Sequence, residues 1–395
     1  MLTAVVAVSF TACGGRSEHA KKLNIDTAVS INIWYQDDAY TSYLDYIAQQ
    51  FHKANEFITV NPVKVEENNL LDAVYNGSIA QNNVADVYLM EASDMQRAYL
   101  MGLTAENDAY TQYYSQKHFP VTAVNAACYE GKLYGYPVTF HTAVMVYNKK
   151  YATAPENFEQ IEAFLNSYQV TDENKDVNMI VGWDTQDLWT NYAFGGSYVD
   201  NGGAQGEEAE SDVQTEALKA AMTEYAALQN TFGIVDKTQE EYKQMFINNQ
   251  LIYTILDSTQ LADLNASGVD YGICAVPGAK TGFGTQSLSD TTLAMVNPYS
   301  ENTDTAKAVA QAISYDYADL LEKDTGYISA RTDVADKNKK VLYQPLYEVY
   351  AKSDSYAKYI GADEFYVRYS ILLHNIWKGE DLNESVDAFI KAVSR

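Results

Sequence analysis

Cysteine is scarce. The 395-residue chain has three, at positions 13, 128 and 274, too few for a disulfide-stapled scaffold, and no Cys-X-X-Cys pair that would signal zinc or a redox dithiol. Histidine is nearly as rare: His19, His52, His118, His141 and His374 have no i, i+4 partner, and there is no HExxH. With no EF-hand loop either, no metal and no cofactor is expected. Positive charge is in deficit, at 27 Lys and Arg against 53 Asp and Glu, a net charge of −26. Phosphate backbones need clustered basic side chains, so a nucleic-acid partner is excluded, as is adsorption to anionic lipid by charge alone. No long apolar run is present beyond the leading MLTAVVAVSFTAC, which is shorter than the roughly 20 residues that span a bilayer. Nucleophile elbows are missing too, since Gly195-Gly196-Ser197 lacks the trailing glycine of GxSxG. The stretch from Gly278 to Gly284 lacks the glycine four residues ahead of a phosphate-loop GK[ST] and reads as a surface turn.

What is present is length, apolar residues and tyrosine. A chain this long exceeds a single core and implies two domains. Its hydrophobic fraction of 47% is ample for globular cores, while a mean hydropathy of −0.30 argues against several membrane spans. The 33 tyrosines pair an apolar face with a hydroxyl, suiting wet interfaces as well as half-buried strands.

The chain is organised around GKLYGYPVTFHTAVMVYNKK, residues 131–150. Two apolar, β-leaning runs flank polar Thr139, His141 and Thr142, as expected of a chain leaving one sheet and entering another. Before it, strands at Ser30–Tyr35, Ile58–Val65 and Ala85–Leu89 alternate with helices at Tyr40–Asn55, Leu70–Ile79 and Met95–Met101. That order predicts an α/β lobe with a mainly parallel sheet. After it come strands at Met179–Trp183, Leu251–Leu256, Tyr271–Val276 (returning toward the first lobe) and Leu293–Asn297. The acidic, Gly-rich stretch Asn201–Asp212 reads as a solvated loop. Thr325–Ile328 reads as another crossing, and Val341–Arg395 as largely helical. Cys128 and Cys274 sit in apolar, strand-like surroundings and are expected as buried free thiols.

Ligands of open α/β sheets sit beyond the carboxyl ends of strands. With no catalytic motif, the chemistry left is a binding site of aromatic faces and hydrogen-bonding side chains. Sugars want Trp or Tyr platforms beside acceptors for their hydroxyls. The candidates are Trp34, Tyr35, Asp38, Glu91, Asp94, His141, Trp183, Asp184, Gln186, Trp189, Asp257, Asp290 and Tyr366. Trp34 and Trp189 could equally pack in a core, and Asp38, Asp257 and Asp290 could equally be helix caps.

INIWYQDDA, ADVYLMEASDMQRAYLMGL, GKLYGYP…VYNKK, YGICAVPGAK and TLAMVNPYSENTDTAKAVAQAI, in that order, resemble the extracellular solute-binding proteins of bacterial ABC importers, the group that contains maltose-binding protein. The resemblance implies an α/β, two-lobe periplasmic-binding-protein (Venus flytrap) fold with interleaved lobes and hinge strands. Residues 28–139 plus 277–326 would form lobe I, and 140–276 plus 327–395 lobe II. It implies a non-enzymatic monomer that captures an oligosaccharide or simple sugar by lobe closure and hands it to permease subunits. His141 stands where the family carries a ligand-contacting side chain, a glutamate in maltose-binding protein. Thr259 stands where a second-lobe Trp would be, and Phe365-Tyr366 at the late aromatic platform, so the site departs from a plain maltodextrin one. Phe10-Thr11-Ala12-Cys13, followed by Gly14-Gly15, resembles a lipobox. It implies lipidation of Cys13 and a tether through residue 27 to the outer face of the cytoplasmic membrane. The alternatives are a cationic ligand such as a polyamine on the same fold, and a secreted glycan-active enzyme.

Overall fold

The computed structural model of the chain describes residues 22–66, 69–82, 84–202, 212–334 and 340–393. Cys13 and its apolar leader lie outside the described residues, as does most of the acidic stretch after Gly202. Nine strands join one continuous sheet: β1 (Val29–Tyr35), β2 (Ile58–Lys64), β3 (Val87–Glu91), β4 (Tyr136–Asn148), β5 (Met179–Val181), β6 (Leu251–Asp257), β7 (Tyr271–Cys274), β8 (Leu288–Val296) and β9 (Asp354–Ser355). Their order is β2-β1-β3-β8-β4-β6-β5, with β7 added on β4 and β9 on β8.

The first half follows the alternating pattern of the sequence. β1 pairs parallel with β2 and β3, and the helices Thr41–Ala54 and Leu70–Ala80 return the chain between them. Tyr43, Leu44, Ile47 and Phe51 recur at helical spacing and bury one face of the first helix. Alternation along β1 divides two cores. Ile31, Ile33 and Tyr35 enter the large one, while Trp34 points to the other face among Leu71, Val74, Tyr88 and Met90.

β4 is the crossing. From Tyr136 to Thr142 it pairs antiparallel with β8 beside β3; from Ala143 to Asn148 its partners are β6 and β7 in the second lobe. A single 13-residue strand thus belongs to both lobes. β8 runs beside it, with Asp290 opposite His141 and Thr292 opposite Thr139. Ala330 donates its N–H to Val138 O at 2.9 Å, so the segment after Gly326 also runs alongside β4. β9 lies parallel to Leu288–Ser289. Helices Leu188–Gly196, Thr215–Phe232, Asp363–Lys378 and Leu382–Val393 pack together in the second lobe.

Three expectations are corrected. β8 begins at Leu288, five residues earlier than its apolar run, because Ser289, Asp290, Thr291 and Thr292 are buried strand residues satisfied by hydrogen bonds rather than by apolar contact. β7 does not return to the first lobe; it pairs with Met145–Asn148, and β8 makes the return. Asn201 is not a solvated loop residue: it is buried and donates to Tyr366 Oη at 2.9 Å and to Ser355 O at 3.2 Å. Cys128 and Cys274 are free thiols, each half-buried, and burial pushes the Cys274 thiol up to about 12. Among the described residues no helix is long and apolar enough to cross a membrane.

Candidate functional site

The parallel strands β1 and β3 end side by side at Tyr35 and Glu91, and the short turns that follow line a cavity of about 440 Å³. Tyr35, Gln36, Asp37 and Tyr40 come from the first turn, and Glu91, Asp94 and Arg97 from the second. Thr139, Phe140 and His141 on β4 and Thr292 on β8 close the interior, while Thr259 and Tyr327 reach in from the opposite side. Both lobes therefore contribute walls. A second cavity of about 490 Å³ meets the first at Asp94 and Arg97 and is walled by Tyr356 and residues 358–363.

Local chain geometry decides which side chains face the space. A 3-10 turn starts at Asp38, so Asp37 becomes its cap: Asp37 Oδ1 accepts from Ala39 N at 2.9 Å, leaving Oδ2 to accept from Tyr327 Oη at 2.6 Å. Asp38 turns outward and pairs with Lys64 at 2.7 Å. Tyr40 Oη and Thr139 Oγ1 lie 2.5 Å apart beneath the cavity. Arg97 pairs with Asp72 at 2.9 Å near the mouth.

At the interior end, His141 Nδ1 donates to Asp257 Oδ2 at 3.0 Å. Asp257 also caps the turn after β6, accepting from Thr259 N at 2.9 Å and Thr259 Oγ1 at 2.7 Å. Glu91 Oε1 accepts from Thr292 Oγ1 at 2.9 Å, whereas its Oε2 is buried with no hydrogen-bond partner among the described residues. Asp290 Oδ1 accepts from Thr291 N at 2.7 Å. Burial works against a charged imidazole, yet Asp257, and then Glu91 and Asp290, carry His141 up to about 9. Burial, and then repulsion from Asp290, push Glu91 up to about 7, and burial raises Asp290 against the opposing His141 charge and the hydrogen bonds from Ser93 and Thr291. Burial also raises Asp94, with Arg97 opposing it. Asp257 is held low: burial would raise it, but the His141 charge and its hydrogen bonds prevail.

An aromatic file borders the site. The Trp189 ring lies 4.4 Å from the His141 ring, Trp189 stacks on Tyr356 at 5.8 Å and 27°, and Tyr356 stacks on Tyr366 at 3.8 Å and 24°.

Of the thirteen candidates, Tyr35, Glu91, Asp94 and His141 line the first cavity, with Asp257 and Asp290 directly behind His141. Trp189 and Tyr366 join the aromatic file, Tyr366 as its buried base, with Oη accepting from Ala357 N at 2.8 Å. The others lie away from the cavity. Trp34 packs in the outer core, and Trp183 is fully buried with Nε1 donating to Asn191 Oδ1 at 2.9 Å. Asp184 accepts from Gln186 N and Gln239 N, Gln186 pairs with His374 on the surface, and Asp38 faces solvent. Tyr40, Thr292, Tyr327 and Tyr356 line these spaces without having been singled out, and Asp37 lines the first without being among the thirteen. Asp37 had a visible signal in its adjacency to Asp38, and Tyr327 in its place on an expected crossing. Among the described residues no group of three His, Cys, Asp or Glu is arranged to hold a metal ion.

Residues 46–347 match the model of the bacterial extracellular solute-binding protein family. A maltodextrin-binding protein of Bacillus subtilis (strain 168) is 23% identical over 294 residues, covering 69% of this chain and 67% of that one. A cyclo/maltodextrin-binding protein complexed with maltotetraose superposes with a TM-score of 0.76 at 16% identity, over 94% of this chain and 98% of its own. A Staphylococcus aureus extracellular solute-binding protein in complex with maltose gives 0.76 at 18% identity, over 93% and 98%.

Proposed function

Since this chain belongs to the bacterial extracellular solute-binding protein family, we propose that it captures a carbohydrate in the cleft between its lobes and delivers it to the permease of an ABC importer. The observation that carries the reading is the cavity at the ends of β1 and β3, where tyrosine rings stand beside carboxylates, one of which, Glu91, has an oxygen that receives no donor among the described residues. Hydroxyls supply the donors such oxygens need, and sugar ring faces suit the aromatic file. The saccharides named with its relatives support the same class. Ligand held by β1 and β3 gains Thr259 and Tyr327 only when the lobes are together. That differential contact shifts the population toward closure. No covalent step is required, and the protein is read as a binding protein and a monomer. The lobe division 28–139 plus 277–326 and 140–276 plus 327–395 belongs to this reading, as does lipid anchoring through Cys13 at the outer membrane face.

A thermal-melting screen against mono- and oligosaccharides tests it. A ligand that binds only the native state stabilises it by about 2.7 kcal/mol at a hundredfold excess over Kd. The expected outcome is a saccharide that raises Tm and is recovered chemically unchanged after long incubation. Cleavage of the saccharide would instead support the glycan-active alternative. Polyamines form the second arm of the screen, because Asp37, Glu91 and Asp94 line the cavity. The affinity of a neutral sugar should barely respond to salt, whereas that of a cationic ligand should weaken with it.

A further inference from the structure

The interior end of the cavity gathers three carboxylates around one imidazolium. Glu91 ends β3, Asp290 lies on β8 opposite His141, and Asp257 ends β6. The imidazolium is committed to Asp257 at 3.0 Å. The other nearby cations are committed as well: Arg97 pairs with Asp72 at 2.9 Å, and buried Lys358 donates to Asn125 O at 2.6 Å and Cys128 O at 2.7 Å. Glu91, meanwhile, lines the cavity, and its Oε2 is buried and receives no donor among the described residues. A buried acceptor left unfilled is costly, and so are two neighbouring buried carboxylates that share their one imidazolium with Asp257.

A neutral hydroxyl would fill the acceptor but leave the charge. An ammonium does both. Resting on the carbohydrate reading, we propose that the saccharide this cleft takes carries a basic amino group, an amino sugar or its oligomer, whose ammonium donates to Glu91 Oε2 beside Asp290. In the empty cleft a proton serves the same purpose, consistent with Glu91 and Asp290 both standing above the ordinary carboxylate range. Binding of the ammonium expels that proton to solvent.

The groups facing Glu91 are Asp290 on β8, His141 on β4, Asp94, Tyr40, Tyr327 and, on the helix Lys340–Lys352, Tyr350. The tyrosines are pushed up by burial and stay neutral. His141, at about 9, and Lys358, which faces Asp290 and is drawn by burial to about 8, remain mainly charged below pH 7.5. Between pH 6 and 7.5 Glu91, pushed up to about 7 by burial and by Asp290, is the group of this cluster that titrates.

Titration calorimetry of the protein decides it, using glucosamine and its oligomers, their N-acetylated counterparts, neutral maltodextrins and spermidine, in buffers of different ionisation enthalpy. The amino saccharide is expected to bind about tenfold or more tightly than its acetylated counterpart, as a charge-assisted bond to a buried carboxylate requires. It should release a proton and tighten by about fivefold between pH 6 and 7.5. Glu91→Gln should abolish the proton release and the preference, and a melting curve of the variant checks that it folds. The proton release of the unaltered protein is a readout independent of any variant. Acetylated or neutral saccharides binding as tightly, with no proton released, would overturn the inference and leave the carbohydrate reading intact. Spermidine alone binding, or no saccharide binding at all, would overturn both.

Discussion

His141 stands at the turning point of the long crossing strand, between the carboxylates of three other strands. Its position makes two outcomes predictable. The first concerns pH. Its folded value lies above the ordinary imidazole value of 6.5, so the charged ring stabilises the fold fully below about pH 6.5, and this contribution is lost as pH rises through about 9. An NMR titration of the imidazole resonances should find a midpoint near 9, and Tm should fall across that window more in the native protein than in His141→Gln. The second concerns truncation. His141→Ala leaves the buried Asp257 without its imidazolium partner, and should cost about 3–5 kcal/mol in urea unfolding, as breaking one side of a buried ion pair does. At this scale the sequence showed which residue types mattered but not always which copy. Asp37 and Asp38 are indistinguishable by composition, and only the start of the 3-10 turn sends one inward and the other to Lys64. Trp34 and Tyr35 are neighbours on one strand, and the period of two sends them into different cores. Tyr356 lies in a polar stretch between helices, where nothing local marks it; its place in the aromatic file is set by Trp189 and Tyr366, far away in the chain.

The elements that were legible are those whose apolar residues repeat at a regular spacing. The helix Thr41–Ala54 and strands β1, β3 and β6 lie close to where their patterns place them. β8 is the exception that explains the rule. Its first half is polar because it runs between lobes, where hydrogen bonds to Glu91, Tyr350 and Ser353 replace apolar packing, so hydropathy marks only its second half. The crossing is also held by stacking. Phe140 on β4 lies 3.8 Å from Tyr350 with ring planes 5° apart, tying the strand to the helix Lys340–Lys352. Phe140→Ala should cost about 3–5 kcal/mol in chemical denaturation, within the range for aromatic truncation in a core. Thr291→Val is a finer test: Thr291 Oγ1 and Tyr350 Oη are buried 2.7 Å apart, so the substitution should cost about 1–3 kcal/mol despite conserving shape. An effect of Phe140→Ala below about 1 kcal/mol would mean that the stack contributes little to the crossing.

For the whole molecule, length and the order of elements indicated two lobes, and the 131–150 stretch indicated where the chain passes between them; β4 does so. What no local pattern carries is the pairing of distant strands. β8 returns beside β4 after 140 residues, and β9 joins it later still, so the interior end of the cleft is assembled from pieces far apart in sequence. That assembly explains why the carboxylates could be named as candidates while their gathering around one histidine could not be read. A cleft walled from both lobes should also close on its ligand, and small-angle scattering should show a smaller radius of gyration with saccharide than without.

The most direct measurement is a calorimetric titration of the saccharide identified by melting, run against the native protein and against Glu91→Ala. The account predicts one site per chain in the native protein and an affinity loss of about tenfold or more in the variant, as expected when a buried polar contact at a binding site is removed. Equal affinity in the variant, or a native protein that binds no saccharide at all, would contradict it.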